Sequence, residues 1–126
     1  MKANPYFKLD EFKCKCGCGK GNPCKKLIEI LTEIRIHFRK PLVITSGTRC
    51  FEHNEKVGGS PKSQHLKDKA ADFVIKGVKT KDVYDYVIKT YGDKPLGIAF
   101  KFNKENEYAG FVHIDTRGKK ARWTYA

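Results

Sequence analysis

Residues 63–75 read SQHLKDKAADFVI, and the change of character within them sets the architecture. Up to Lys69 the stretch is polar and suited to a turn, whereas AADFVI (70–75) is an apolar run of strand length with β-branched and aromatic members. A buried strand is therefore entered from a polar loop. His65 falls at the end of that loop and Asp72 at the beginning of the strand, so a turn between them can aim both side chains at one point.

Towards the C-terminus, TKDVYDYVIKTYG (80–92) predicts a helix with Thr80 as N-cap and Gly92 as its stop. LGIAFKF (96–102) and GFVHIDTR (110–117) predict two strands joined by the polar hairpin NKENEYA. Towards the N-terminus, residues 46–69 contain no obvious strand, are rich in Gly, Ser, Asn, His and Lys, and predict a long irregular segment of functional type. Before it, LVIT (42–45) predicts a short buried strand. Leu27, Ile30, Leu31, Ile34 and Phe38 recur at helical spacing, which predicts an amphipathic helix from about Cys24 to Arg39, ended by Pro41. YFKLDEFKC reads as a short N-terminal arm running into a loop of glycine and cysteine. The order helix, strand, loop, strand, helix, strand, strand describes an α+β fold, with helices on one face of a small, largely antiparallel sheet. At 126 residues, one domain spanning 1–126 is expected.

An imidazole and a carboxylate suit zinc, which needs three protein ligands when it is catalytic. His113 is the candidate third ligand, because Phe111, His113 and Asp115 share one strand face while Val112 and Ile114 occupy the other. Each residue alone has a structural alternative: an Asp caps turns, and a strand His is commonly a hydrogen-bonded core residue. The combination with a polar loop and an upstream arginine points to a site.

SGTRCFEHN (46–54), GGSPKSQHLKDKAADF (58–73) and FVHIDTR (111–117) together resemble the motifs of the zinc D-alanyl-D-alanine carboxypeptidase family, peptidase M15. The resemblance runs from about Phe7 to Trp123 and is nearest to small single-domain members of phages and bacteria, related to the hedgehog-type and lysostaphin-type zinc fold. It implies that His65, Asp72 and His113 ligate Zn2+, with a water at the fourth position that attacks a peptide carbonyl. It also implies that Arg49 meets a substrate carboxylate or carbonyl, for which its fork is suited, and that Ser46 and Ser63 line or steady the site. His53 and Asn54 fall in the substrate-side loop.

Two positions depart from the family pattern. Asp68 stands where glycine is usual, and Asp tolerates a left-handed backbone if one is needed there. Gly110 stands three residues before the last histidine, where many relatives carry the general base. The base is then expected from Asp115, the preferred choice, or from Glu107; Asp115 could instead orient a ligand.

Lys and Arg outnumber Asp and Glu by 26 to 14, so the net charge of +12 favours polyanions such as cell-wall polymer, although a solubilising surface explains it equally. No nucleic acid partner is expected. No apolar stretch approaches the length of a signal-peptide core or a membrane span. The expectation is a monomer that cuts peptidoglycan peptides in the periplasm or cell wall, phage-encoded and released at lysis. A zinc-containing cell-wall-binding or phage structural module without turnover is the alternative. Cys14, Cys16, Cys18, Cys24 and Cys50 leave three states open: free thiols, a disulfide, or a metal site on C-x-C-x-C-x5-C.

Overall fold

A computed structural model of the chain describes residues 2–4, 6–59 and 63–124. Ser60, Pro61 and Lys62 of the second motif lie outside the described residues. The elements, in order, are strands β1 (Lys2–Asn4) and β2 (Phe7–Lys8), helix α1 (Lys25–Phe38), strand β3 (Leu42–Ser46), helix α2 (Phe51–Lys56), strand β4 (Ala70–Ile75), helix α3 (Thr80–Tyr91), and strands β5 (Gly97–Lys101), β6 (Phe111–Asp115) and β7 (Ala121–Thr124).

The main sheet has the order β3-β4-β6-β5-β7. Its first four strands pair antiparallel, and β7 joins β5 in parallel, so the sheet is mixed but largely antiparallel as expected. In register, Phe73 lies opposite Val112, Asp72 opposite His113 and Ala71 opposite Ile114. Alternation along the strands therefore separates an apolar face from a face carrying chemistry. The apolar face, with Ile44, Ala71, Phe73, Ile98, Val112 and Ile114, forms one cluster with Leu27, Leu31 and Ile34 of α1 and Val83 and Val87 of α3. Both long helices thus cover the same face.

Local sequence explains the ends. Arg39 adopts a left-handed conformation, φ 54°, as the cap of α1, and Pro41 follows it. α3 begins one residue earlier than a Thr80 N-cap would set it: Lys79 is its N-cap, and the Thr80 hydroxyl donates 2.7 Å to the Ala109 carbonyl. Gly92 stops the helix in a right-handed conformation.

The segment 46–69 is less irregular than expected. Among the described residues it contains α2 and a 3-10 turn, Gln64–Lys67. α2 has only six residues, FEHNEK, too short to show an apolar period. The arm is also more than an arm: β1 and β2 form a small hairpin, and Phe7 and Phe12 are fully buried, their rings 5.7 Å apart edge to face. The Phe12 carbonyl accepts from the Thr48 amide at 2.8 Å. A Cβ at Gly47 would sit 2.5 Å from that same carbonyl oxygen, so only glycine permits this approach.

Candidate metal centre

Register explains how three distant residues meet. Asp72 and His113 are direct neighbours across β4 and β6 on the face away from the helices. His65 arrives from the 3-10 turn, which Ser63 caps by accepting from the His65 amide at 3.2 Å. Asp68 ends that turn at φ 61°, a left-handed backbone that Asp tolerates. Its carboxylate receives the Thr48 hydroxyl, and the Asn22 amide at 3.1 Å, so it fastens the turn to the first motif and the arm.

The side chains of His65, Asp72 and His113 are all buried, and the atoms they could offer to a metal lie within 4.8 Å of one another. Asp72 Oδ1 is shared: His113 Nδ1 lies 2.8 Å from it and His65 Nε2 3.2 Å. The other nitrogen of each ring is committed elsewhere. His65 Nδ1 lies 2.6 Å from the Gly47 carbonyl, which can only accept, so that nitrogen carries the ring proton. His113 Nε2 lies 2.7 Å from Asp115 Oδ2 and donates to it for the same reason. In neutral rings, the lone pairs of His65 Nε2 and His113 Nδ1 then face an anionic oxygen. Such a contact is repulsive unless a proton or a cation lies between the groups. This donor set fits a divalent metal ion. Burial opposes the charged form of Asp72, yet its hydrogen bonds with His113 and His65 outweigh that and hold the carboxyl down at about 2. Burial likewise opposes a charge on His113, but Asp115 and Asp72 raise its pKa above the ordinary value.

Asp115 is placed behind His113 and is fully buried. Besides His113, it receives the Gly97 amide at 3.2 Å and both Nε and Nη2 of Arg117 at 2.8 Å. Burial raises its pKa, but the Arg117 guanidinium and His113 more than offset this and hold it below the usual carboxylate range. Both oxygens are thus engaged, which leaves the base role expected of Asp115 without a free oxygen. Glu107 is not brought to the cluster. It is exposed, pairs with Lys79 at 3.3 Å and lines a different cavity beside Asp82 and Phe102, which also disagrees with the expected base role.

A cavity of about 480 Å³ opens at the cluster, with Asp72 in its lining beside Ser46, Arg49, His53, Lys15 and Lys101. Ser46 lies opposite Asp72 across β3 and β4. The Arg49 amide donates 2.9 Å to the His65 carbonyl, joining the first two motifs through the backbone. Its Nη1 donates 2.9 Å to Asn54 Oδ1, while its Nε is buried with no partner among the described residues. Asn54 is itself buried on α2, so the guanidinium is held by a fixed group. His53 and Asn54, which had no firm role in the sequence, therefore belong to the cavity and its support.

Sequence reasoning missed Arg117, Trp123 and Gly97. The Trp123 ring lies 5.1 Å from the His113 ring, and Arg117 stacks over Trp123 at 4.7 Å. A Cβ at Gly97 would fall 2.3 Å from an Asp115 oxygen, so this strand position must be glycine for the carboxylate to sit there. The signal for Arg117 was present: Asp115 and Arg117 are two residues apart in FVHIDTR, directly after the histidine. Trp123 had none, because nothing in ARWT announces a strand that returns beside β5.

A family model described as Peptidase M15 matches residues 5–115, most of the chain and all of the three motifs up to Asp115. A comparison with curated proteins finds no match.

Proposed function

The chain belongs to the peptidase M15 family, and from that premise we propose that it is a zinc peptidase acting on peptidoglycan. The bond is the terminal one of a D-Ala-D-Ala stem, or one within the stem or crosslink. Metallopeptidase activity comes with the family. The zinc, the wall substrate and the individual residue roles are inferred here. The observation that carries the reading is the convergence of two imidazole nitrogens, their ring protons committed elsewhere, on one carboxylate oxygen.

His65, Asp72 and His113 are the residues that would hold the ion. Zinc, when bound, supplies a Lewis acid that polarises the scissile carbonyl and lowers the pKa of a water toward about 7. Asp115 keeps His113 in the ligating tautomer, and Arg117 keeps Asp115 ionised and oriented. Arg49, steadied by Asn54, binds a carboxylate or carbonyl of the substrate. Lys15 and Lys101 line the same cavity, so its charge favours the carboxylate-bearing ends of a stem peptide. Ser46 lines the cavity beside Asp72, and Ser63 fixes the turn that presents His65. Because Gly110 has no side chain and neither Asp115 nor Glu107 faces the cavity, we assign proton transfer to His53. It lines the cavity with Asp72, and an imidazole can both accept and donate a proton. The site of action we assign is the periplasm or cell wall, reached by a monomer. Among the described residues no helix is long and apolar enough to cross a membrane.

The test is mass spectrometry of muropeptides digested with zinc-loaded protein. Loss of D-Ala identifies a carboxypeptidase, and split stems or crosslinks an endopeptidase. Asp72→Ala should abolish both, and His53→Gln should lower turnover by about 10²-fold or more while leaving zinc content unchanged. If zinc-loaded protein sediments with cell walls but releases no new amino groups, the non-catalytic wall-binding alternative replaces this reading.

A further inference from the structure

Four cysteines form a second cluster, and its membership differs from the sequence pattern. Cys24 stands at the start of α1 with its sulfur 3.3 Å from the Thr116 hydroxyl. Cys50, at the N-cap of α2, takes its place beside Cys14, Cys16 and Cys18. Cys14 and Cys16 sulfurs are 3.4 Å apart, Cys14 and Cys50 3.8 Å, and Cys16 and Cys50 3.6 Å, and all four sulfurs lie within 4.8 Å of one another. None is in a disulfide.

Four thiolates around zinc at about 2.3 Å in a tetrahedron lie about 3.8 Å from one another. The observed separations approach that figure, which a surface grouping of thiols has no reason to do. The backbone also prepares the sulfurs for negative charge: the Cys50 amide donates to Cys14 Sγ and the His53 amide to Cys50 Sγ, each at 3.4 Å. Gly17 and Gly19, at φ 86° and 85°, supply the left-handed turns that bend a C-x-C-x-C tract around a point. Lys15 and Lys20 are exposed in the same loop, where they offset the excess charge of four thiolates on a divalent ion.

We propose that Cys14, Cys16, Cys18 and Cys50 bind a structural zinc ion that clamps the N-terminal loop to the start of α2. With all four positions taken by protein, such a site has no open coordination place and performs no hydrolysis. Its effect is on the cavity. Lys15, between two of the ligands, and Arg49 and His53, on either side of Cys50, line the same cavity, so the ion would fix one of its walls. The proposal does not depend on peptidase activity.

The experiment counts metal and identifies its ligands. Protein purified with thiols reduced is loaded with zinc, desalted and measured by elemental mass spectrometry; a parallel sample is loaded with cobalt(II) for absorption spectra. Wild type should hold two equivalents, and His65→Ala/Asp72→Ala and Cys16→Ser/Cys18→Ser one each. The thiolate-to-cobalt charge-transfer band should persist in the first variant and vanish in the second. Trypsin should cut after Lys13, Lys15 or Lys20 in Cys16→Ser/Cys18→Ser but not in zinc-loaded wild type. Cys16 and Cys18 are exposed, so that variant has no core to disrupt. The proposal is overturned if wild type shows no thiolate-to-cobalt band, or if Cys16→Ser/Cys18→Ser binds as much zinc as wild type. Failure of the His-Asp-His site would instead appear as one equivalent in wild type with the thiolate band intact.

Discussion

Replacing Asp115 with Asn separates the two roles open to it, because the change preserves shape and removes one acceptor. The carboxylate now serves His113 Nε2 at 2.7 Å, the Gly97 amide at 3.2 Å, and Arg117 Nε and Nη2 at 2.8 Å. An amide can keep its oxygen towards His113, which sets its NH2 against the Gly97 and Arg117 donors. Otherwise it keeps its oxygen towards Gly97 and sets its NH2 against His113 Nε2. In the second arrangement His113 must release its Nε2 proton and carry it on Nδ1, the nitrogen that faces Asp72. Either way at least one buried donor faces another donor, a cost of about 1–3 kcal/mol per unsatisfied group. Loss of an orienting partner behind a metal-ligating histidine costs about 10–100-fold in metal affinity, or roughly 1.4–2.7 kcal/mol.

Zinc affinity of Asp115→Asn should therefore fall by about 10–100-fold in competition with a chromophoric chelator. Peptidoglycan turnover should fall with it at limiting zinc, and recover to within about threefold of wild type when free zinc saturates the variant. A general base behaves differently: its loss costs about 10²–10⁴ in turnover and leaves the metal alone. Unchanged zinc affinity together with turnover depressed at saturating zinc would refute the positioning role.

Arg49→Lys keeps the charge but loses the fork and the geometry that Asn54 holds, so KM for a carboxylate-terminated stem peptide should rise by about tenfold or more with little change in zinc content. Steady-state kinetics with a synthetic stem peptide measures this, and an unchanged KM would remove Arg49 from substrate binding. The pH dependence of stability should reverse with metal. In metal-free protein the raised pKa of His113 contributes stability that is complete below the ordinary value of 6.5 and is lost as pH rises through its folded value. Asp72, lowered from 3.8 to about 2, contributes stability that is present above 3.8 and lost as pH falls towards 2. Metal-free protein should thus show its highest Tm between these limits and a declining one above pH 6.5. Zinc binding releases protons, so the loaded protein should gain over the metal-free form as pH rises. Calorimetry across that range checks both slopes; parallel curves with and without zinc would contradict the proton inventory of the cluster.

The residues that were legible in the sequence are those whose position follows from period. FVHID alternates, so Phe111, His113 and Asp115 had to share one face of their strand; AADFVI is an apolar run broken by Asp72 alone, and it is the register that sets Asp72 opposite His113. At Asp68 the sequence showed only that a left-handed backbone would be tolerated, and its φ is 61°. What stayed hidden depends on contacts that have no period. α2 is a single short helix whose cap is a cysteine sulfur. The Asp115 role depends on Arg117 and on the absence of a side chain at Gly97, and the cysteine cluster depends on a chain separation of 36 residues between Cys14 and Cys50. The spacing of C-x-C-x-C-x5-C pointed to Cys24 because it is near in sequence; the fold selected Cys50 because Gly47 lets the arm dock against the first motif.

That docking gives the segment from Gly47 to Asn54 a double function. The Gly47 carbonyl fixes the tautomer of His65, Thr48 holds Asp68, Arg49 joins His65 through its amide, and Cys50 belongs to the thiol cluster. His53 and Asn54 then follow on α2, one lining the cavity and one holding Arg49. Because neighbouring residues of one short stretch serve both clusters, a shift of the backbone at Cys50 must move Arg49, and with it the hydrogen bond to the His65 carbonyl. The cavity and the cysteine cluster therefore share one stretch of backbone. Damage to the thiols should then raise the KM for a stem peptide before it lowers the metal content of the proposed His-Asp-His site.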